Sequence, residues 1–167
     1  MSASSFEPQG KPVRASQSEM TEVVLPNDAN PLGNLLGGKV MHWMDMCGAI
    51  AAHRHCGSYV VTASFDYVEF LNPVRVGELI ILKASVNRVF RTSLEVGVKV
   101  FSENVLTGTR QHTSSAYITF VALDEYGRRK EIGPVTPETD EERRRFEQAG
   151  VRRQHRLFLR QRHGKLA

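Results

Sequence analysis

The residues best suited to chemistry lie in one stretch, from Asn30 to Asp45, which joins a turn-rich loop to an apolar helical segment. Asp45 is the lone carboxylate in that segment, and a charged group among apolar residues is costly unless it is paired or used. A carboxylate in such surroundings suits a general base. An aspartate held by a buried donor explains the pattern equally well, so this residue alone does not decide between catalysis and structure.

A glycine pair and a loop amide precede this carboxylate. Gly37 and Gly38 open the predicted helix, where the first amides have no partner within the helix and the helix dipole is positive. Glycines there let a carbonyl approach, so these amides are candidate oxyanion donors. Asn30 supplies a carboxamide that can polarise a carbonyl or hold a water. With Asp45, they suit hydrolysis of an activated acyl group, a thioester more than an amide, without a serine or cysteine nucleophile.

A further glycine, Gly48, lies in the middle of the predicted helix, beside Asp45. Glycine costs a helix about 1 kcal/mol relative to alanine. We therefore expect some group to come close to the helix backbone at this point.

Other chemistries lack their signatures. The sequence has no Gly-x-Ser-x-Gly nucleophile elbow, no P-loop and no dinucleotide-binding glycine pattern. The predicted helix end contains His53, His55 and Cys56. On a helix, positions 53 and 55 point in nearly opposite directions and cannot easily bind one metal ion, so no metal site is predicted. His42 and His112 have no acidic partner nearby in sequence and are interpreted as surface or edge histidines.

Composition indicates an intracellular protein. The two cysteines form no disulfide framework, which fits a reducing cytosol. No apolar run reaches the length of a membrane span, and the first residues lack the pattern of a secretory signal. We expect a cytoplasmic protein.

The apolar pattern predicts one strand, one long helix and then four strands in succession. Strands that follow one another without intervening helices favour an antiparallel sheet, so the expected class is α+β, with a long central helix wrapped by a curved sheet. In the strand after the helix, strict alternation places Thr62 and Ser64 on the same face. The predicted ranges are 19–25, 37–55, 59–71, 79–90, 94–100 and 116–122.

The two ends of the chain differ in composition from its centre. We divide it into an N-terminal arm (1–18), a core domain (19–133) and a charged C-terminal extension (134–167). A capping box at Thr139–Glu142 predicts a short helix to about Gln148, with Gly150 after it. Between Arg143 and Lys165 there are nine basic residues and one acid, Glu147. A solvated helix is the simplest interpretation, and binding of nucleic acid, a membrane surface or an anionic small molecule is the alternative.

Five blocks in the same order resemble the hot-dog acyl-CoA hydrolases, the group of the cytosolic and brain acyl-CoA thioesterases and their bacterial relatives. The resemblance extends over about residues 20–125. The blocks are Asp28-Ala29-Asn30-x-x-Gly33-Asn34-x-x-Gly37-Gly38, Met44-Asp45-x-x-Gly48-Ala49, Val61-Thr62-Ala63-Ser64, Phe70-Leu71-x-Pro73-Val74-x-Val76-Gly77 and Arg91-Thr92-Ser93-Leu94-Glu95-Val96.

This resemblance implies a hot-dog fold, paired into homodimers and assembled into a hexamer, a trimer of dimers. It assigns Asn30 and Asp45 to an active site shared across the dimer interface, with Gly37 or Gly38 as the oxyanion donor. The substrate that the resemblance implies is acyl-CoA, and no separate cofactor is implied because coenzyme A is part of the substrate. The residues that match the path of coenzyme A and the thioester are Asn34, Thr62, Ser64, Arg91, Thr92 and Ser93.

Three functions follow as hypotheses. The first is an acyl-CoA thioesterase in which Asp45 activates water and Asn30 orients it or the thioester. The second is a non-catalytic acyl-CoA binding or sensing protein, whose basic end could engage nucleic acid, although no separate helix-turn-helix domain is present and no nucleic acid is expected. The third, a hot-dog dehydratase, needs a histidine near the helix start, and His42 is out of phase with Asp45.

Overall fold

The central feature is a five-stranded antiparallel sheet that packs against a long helix. The structure, a computed structural model, describes residues 9–163. The strands lie in the order β2-β4-β5-β6-β3, so β2 and β3 are the two edges. The elements are β1 (Lys11–Pro12), β2 (Ser18–Val23), α1 (Gly37–Cys56), β3 (Tyr59–Phe70), β4 (Leu79–Phe90), β5 (Ser93–Glu103), β6 (Arg110–Leu123), β7 (Val135–Thr136) and α2 (Asp140–His163). The α+β prediction, one long helix on an antiparallel sheet, is confirmed.

The core lies between α1 and the inner face of the sheet. Alternate residues of β4, β5 and β6 point toward the helix and are buried, and each fully buried apolar side chain of this size contributes about 1.5–3 kcal/mol. The buried sheet residues include Ile80, Leu82, Val86, Leu94, Val96, Val98, Ile118 and Phe120, and the helix contributes Val40, Trp43, Met44, Cys47, Ala51 and Ala52.

Gly48 is required by this packing. A Cβ atom at position 48 would lie 3.2 Å from Cε2 of Phe120 and 3.3 Å from Cδ1 of Ile118. The expectation of a close approach to the helix backbone is therefore confirmed, and the groups that approach are side chains of the sheet.

The helix is not buried on all sides in the single chain. One face of α1 packs on the sheet, while Met46 (43% exposed) and Ile50 (38% exposed) face outward. Along the unpaired edge strand β3, the large side chains Val61, Tyr67 and Phe70 are also exposed. An apolar strip along an unpaired edge strand is typical of an interface.

Two β-bulges interrupt the alternation of β3. The register against β6 shifts between Thr62 and Ser64, and again between Phe65 and Tyr67. A bulge inserts one residue and reverses the face of those that follow. Thr62 therefore faces the helix, while Ser64 faces the outer side of the sheet, and the prediction that they share a face is wrong.

The C-terminal helix begins where it was predicted and ends much later. Thr139 Oγ1 accepts a hydrogen bond from the amide of Glu142, and Glu142 Oε2 accepts one from the amide of Thr139, which confirms the capping box. The prediction of an end near Gln148 is wrong, because α2 continues through Gly150 to His163. A Cβ at position 150 would lie 2.5 Å from Nη1 of Arg88, so this glycine serves close packing inside the helix.

The arginines of α2 are used largely on the protein itself. In the first turns they pair with acids of the same helix, and later they reach the outer face of the sheet, where the guanidinium of Arg153 lies 4.4 Å from the Phe90 ring centroid. These internal uses argue against an α2 devoted to nucleic acid. The ion pairs are Arg143–Asp140, Arg144–Glu141, Arg145–Glu141, Arg152–Glu95 and Arg156–Asp66.

The described part of the N-terminal arm is held against the body. The short strand β1 pairs in parallel with β7. Val13 and Ser16 are buried, and Ser16 Oγ accepts a hydrogen bond of 3.0 Å from the amide of Val86. Residues 1–8 of the predicted arm lie outside the described residues.

Across residues 9–163, neither helix combines the length and the apolarity that a membrane crossing requires.

Candidate active site

The strongest polar contact on the outward side of α1 joins Asp45 to Thr62. Thr62 Oγ1 donates a hydrogen bond of 2.6 Å to Oδ1 of Asp45. Thr62 pairs with Phe120, whose side chain is in the core, so this hydroxyl faces the helix. A hydrogen bond to a carboxylate is about twice as strong as one between neutral groups. The carboxylate is thus held in one orientation at the border between the packed and the exposed face of α1.

Asp45 is not the most buried acid of the described residues. It is only partly buried, whereas Glu95 on the outer face of β5 is 1% exposed. Glu95 accepts hydrogen bonds from Arg152 at 2.7 and 3.0 Å and from Asn87 at 2.9 Å. The acid that is fully buried is therefore neutralised as a structural ion pair, and the partly accessible one remains open to a ligand or water.

The loop before α1 forms a separate cleft of about 380 Å³. Asn30 lies in it, and its Oδ1 accepts hydrogen bonds from the amides of Leu32 (3.0 Å) and Asn34 (3.1 Å). Its side-chain nitrogen has no partner among the described residues, so it can donate to a ligand. The cleft is lined by Asn30, Asn34, Leu35, Gly37, Val40, Phe70, Leu71, Asn72, Pro73, Val74 and Ser114.

The helix start borders the same cleft. The amides of Lys39 and Val40 donate to the carbonyl of Leu36, whereas those of Gly37 and Gly38 find no acceptor among residues 9–163. A Cβ at position 37 would lie 3.3 Å from the Phe70 ring, while a Cβ at position 38 would meet nothing within 4 Å. Of the two glycines, only Gly37 is among the residues that line the cleft, while Gly38 is exposed.

Within one chain, the two groups of candidate residues do not meet. Asp45 is eight residues after Gly37, which is about 12 Å along a helix axis, and it is not among the residues that line the Asn30 cleft. The structure therefore contains two half-sites, one with Asn30 and the helix-start amides and the other with Asp45 and Thr62.

The other candidate residues are divided between the two faces and the two ends of the sheet. Ser64 Oγ donates to Asp66 on the outer face, 3.3 Å away, and so points away from Asp45. Ser93 is paired with Val121, which in turn pairs with Val61 beside Thr62. The turn that holds Arg91 and Thr92 therefore lies at the Thr62 end of the sheet, about 10 Å from β3.

Arg91 is the residue of this turn best placed to reach solvent. Its side chain is 81% exposed, and the shortest contact of its guanidinium to a carboxylate is 3.8 Å, to Glu131. Its φ of 52° is in the left-handed region, and its carbonyl accepts a hydrogen bond of 2.8 Å from the amide of Ile132. The backbone of Arg91 is therefore fixed by this hydrogen bond, while its guanidinium is available to bind an anionic group.

The histidines and cysteines at the end of α1 make separate contacts. His53 Nδ1 lies 2.9 Å from the carbonyl of Ser58, and His55 Nε2 lies 2.9 Å from that of Gly133. Burial raises the pKa of the Cys47 thiol and raises the pKa of Cys56 to about 11. Both thiols are protonated at neutral pH and are poor nucleophiles.

Sequence reasoning missed two residues that shape the cleft. Phe70 packs against Gly37, and Ser114, its register partner on β6, lies in the cleft wall. The signal for Phe70 was its place at the end of a strand directly before a Pro-containing turn. Ser114 carried no signal, because its role depends on the pairing of β3 with β6.

A larger cavity of about 620 Å³ lies on the outer face of the sheet, beside the first turns of α2. It is lined by residues such as Lys83, Lys99, Tyr117 and Arg145, and by none of the candidate catalytic residues. Size alone therefore does not identify the active site in this chain, and the half-sites are defined by their chemistry.

Comparisons with known proteins agree on one family. The family described as the thioesterase superfamily matches residues 32–109. An uncharacterized acyl-CoA thioester hydrolase of Bacillus subtilis is 39% identical over 135 residues, which is 81% of this chain and 78% of that protein. Acyl-coenzyme A thioesterase 11 of mouse is 37% identical over 147 residues, and this chain spans only 25% of its length.

Solved structures give the same result. The apo form of a hexameric acyl-CoA thioesterase is 43% identical, with a TM-score of 0.86 over 89% of this chain and 95% of that one. An acyl-CoA hydrolase of Staphylococcus aureus, carrying an asparagine-to-alanine change and bound to coenzyme A, is 31% identical, with a TM-score of 0.90 over 95% of each chain.

The Staphylococcus aureus hydrolase has been solved in further forms. One includes butyryl coenzyme A, and two others carry an aspartate-to-alanine or a threonine-to-alanine change. The changed asparagine, aspartate and threonine are separated by 15 and 17 positions, the same spacing as Asn30, Asp45 and Thr62 in this chain. With this fold and these relatives, the chain belongs to the thioesterase superfamily, as its sequence blocks predicted.

Proposed function

We propose that this protein is an acyl-CoA thioesterase that hydrolyses acyl-CoA to a free acid and coenzyme A. The observation that carries the proposal is the Asp45 carboxylate, oriented by Thr62 and accessible at the edge of the sheet. The names of the relatives support acyl-CoA as the substrate class. The matching spacing of the three residues changed in the Staphylococcus aureus hydrolase supports Asn30, Asp45 and Thr62 as the residues that matter.

The reaction uses water as the nucleophile. Asp45 accepts a proton while the water oxygen bonds to the thioester carbonyl carbon, which gives a tetrahedral intermediate with a negative oxygen. The free amides of Gly37 and Gly38 at the start of α1 and the Asn30 side-chain nitrogen donate hydrogen bonds to that oxygen or to the water. The carbon–sulfur bond then breaks, and the coenzyme A thiolate takes up the proton. Each oxyanion donor contributes roughly 3 kcal/mol in rate.

A second copy of the chain completes each site. The half-site with Asn30 and the half-site with Asp45 are apart in one protomer, and the edge strand β3 leaves one row of backbone groups unpaired. Pairing across this edge would cover exposed apolar side chains such as Met46, Val61 and Tyr67. We propose a homodimer with two composite sites, assembled further into a hexamer like the hexameric relative.

Coenzyme A would be held mainly at the Thr62 end of the sheet. Arg91 is exposed there on an anchored turn, and arginine suits phosphate groups. Asn34 lies in the opposite half-site, so we assign it to the acyl or thioester side of the path. Ser64 is withdrawn from this path, because its hydroxyl is on the outer face. Two free cysteines agree with a cytosolic location.

The direct test is thiol release from a panel of acyl-CoAs by the wild type and by Asp45→Asn. We expect the change to lower kcat by about a hundred- to ten-thousand-fold, because it removes the base while it keeps the shape. Asp140→Asn is the matched control, since that carboxylate is fully exposed at the start of α2, and its kcat should equal that of the wild type. Tight acyl-CoA binding without turnover by the wild type would instead indicate a binding or sensing protein.

A further inference from the structure

The outer face of β3 carries a polar cluster centred on Asp66. This carboxylate is only 13% exposed. Its Oδ1 accepts a hydrogen bond from Ser64 Oγ (3.3 Å). Its Oδ2 accepts a hydrogen bond from Thr119 Oγ1 on β6 (3.4 Å) and forms an ion pair with Arg156 on α2. One side chain therefore connects three elements: the edge strand, its only neighbour in the sheet, and the C-terminal helix.

This cluster lies on the bulged part of the strand that presents Thr62. The first bulge falls between Thr62 and Ser64, and the second between Phe65 and Tyr67, so Asp66 belongs to the second. The turn of Ser64 to the outer face accompanies the turn of Thr62 toward Asp45. The hydrogen bond from Ser64 to Asp66 holds the outer half of that arrangement.

Within one chain, an edge strand with two bulges gains from contacts other than its ladder. In the described chain β3 pairs only with β6, and at each bulge the ladder is interrupted. The Arg156–Asp66 pair supplies a contact from a second direction. It is partly sheltered, with Arg156 only 16% exposed, so solvent screens it less than the pairs at the start of α2.

We propose that Arg156 is a positioning residue for hydrolysis, which acts through Asp66 and the bulged strand to hold Thr62 against Asp45. Its guanidinium pairs with Asp66 on the outer face of the sheet and is not a partner of Asp45 or Thr62. The proposal rests on the proposed function, because it gives the long α2 a part in the same reaction. Oriented carboxylates in active sites commonly depend on such outer supports, and a small misplacement costs rate.

A purely structural role for Arg156 makes a different prediction, and the chain provides a matched control. Arg152 is one turn earlier on α2, forms a comparable ion pair with a buried acid and is 20% exposed. It attaches the helix to Glu95 on β5 and lies over the ring of Tyr117 on β6, and neither strand contributes a group to the Asp45–Thr62 pair. Loss of either arginine removes one tether of α2, but of the two only Arg156 holds a residue of β3.

The experiment is a double-mutant cycle of Arg156→Gln with Thr62→Val, followed by steady-state kinetics on one good acyl-CoA substrate. Thr62→Val keeps the side-chain shape and removes the hydrogen bond to Asp45. We expect Arg156→Gln alone to lower kcat about tenfold, and to lower it less than about twofold further in the Thr62→Val background. The KM of the single variant Arg156→Gln should stay near the wild-type value, because Arg156 does not contact the substrate. Arg156→Lys, which keeps the charge, should recover part of the loss.

The controls separate the possible outcomes. Arg152→Gln should lower the melting temperature without lowering kcat. Equal loss of kcat in Arg152→Gln and Arg156→Gln, or full additivity of Arg156→Gln with Thr62→Val, would overturn the positioning role. If Arg156→Gln does not fold, Asp66→Asn takes its place in the cycle with the same expected result. Undiminished turnover in Asp45→Asn would refute the proposed function itself, a result distinct from any of these.

Discussion

At the scale of single residues, burial and accessibility divide the acids into two uses. Glu95 is 1% exposed and is matched by Arg152 and Asn87, because an unpaired charge at that depth would cost several kcal/mol. Asp45 is partly accessible, and among residues 9–163 its one hydrogen-bond donor is a neutral hydroxyl. A carboxylate that already has an arginine partner cannot readily act as a base, so the weaker partner at Asp45 is the one compatible with proton transfer.

His55 makes stability depend on pH. Burial lowers its pKa from 6.5, and the charge of Lys11 acts in the same direction, while the hydrogen bond to the Gly133 carbonyl opposes them. Above pH 6.5 the residue is neutral in both states. Below it the unfolded chain takes up the proton first, so the free energy of unfolding falls as pH falls, until the folded pKa is reached.

We expect His55→Gln, which keeps a donor for Gly133 but does not titrate, to lose less stability on acidification. Urea unfolding at about pH 7.5 and about pH 5.5 measures the difference for each protein. The drop in the free energy of unfolding should be smaller in the variant than in the wild type. An equal drop in both would show that other groups are responsible.

At the scale of elements, the sequence predicted regular structure well and its interruptions poorly. The apolar pattern predicted β4 at residues 79–90, which is the range that the structure shows. The predicted helix, 37–55, ends one residue before the observed end of α1 at Cys56. The bulges in β3 were missed, because alternation assumes an uninterrupted ladder and no residue of that strand marks an insertion. Gly150 has the pattern of a helix end, but its close approach to Arg88 belongs to the packing of α2 on the sheet, which local sequence does not show.

The glycines of α1 allow a direct test of this packing. Alanine stabilises a helix by about 1 kcal/mol relative to glycine, so Gly38→Ala, which meets nothing within 4 Å, should be neutral or slightly stabilising. Gly48→Ala should instead lower the free energy of unfolding by about 1–3 kcal/mol, since its Cβ would press on Phe120 and Ile118. Chemical denaturation of both variants checks the difference. A Gly48→Ala protein as stable as Gly38→Ala would mean that the helix and sheet are not closely packed there.

At the scale of the whole molecule, one protomer holds two halves of different sites. Asn30 lies in the loop cleft and Asp45 lies at the Thr62 end of the sheet, with the unpaired edge of β3 and its exposed apolar side chains nearby. The residue types and their order could be read from the sequence and its resemblance to a family. Their separation within a chain could not, because it depends on the distance along α1 and on the way that strands pair. The central claim of this account is that each site joins Asn30 of one chain to Asp45 of another.

Complementation between two inactive variants tests that claim most directly. Asn30→Ala and Asp45→Ala, produced together with different affinity tags, form mixed dimers in which one site has both residues intact and the other has neither. If the chains mix at random, we expect about a quarter of the wild-type kcat per chain, since about half of the dimers are mixed and each has one working site. The same variants purified separately should show almost no thiol release. A mixed preparation no more active than the separate variants would contradict a site shared between two chains.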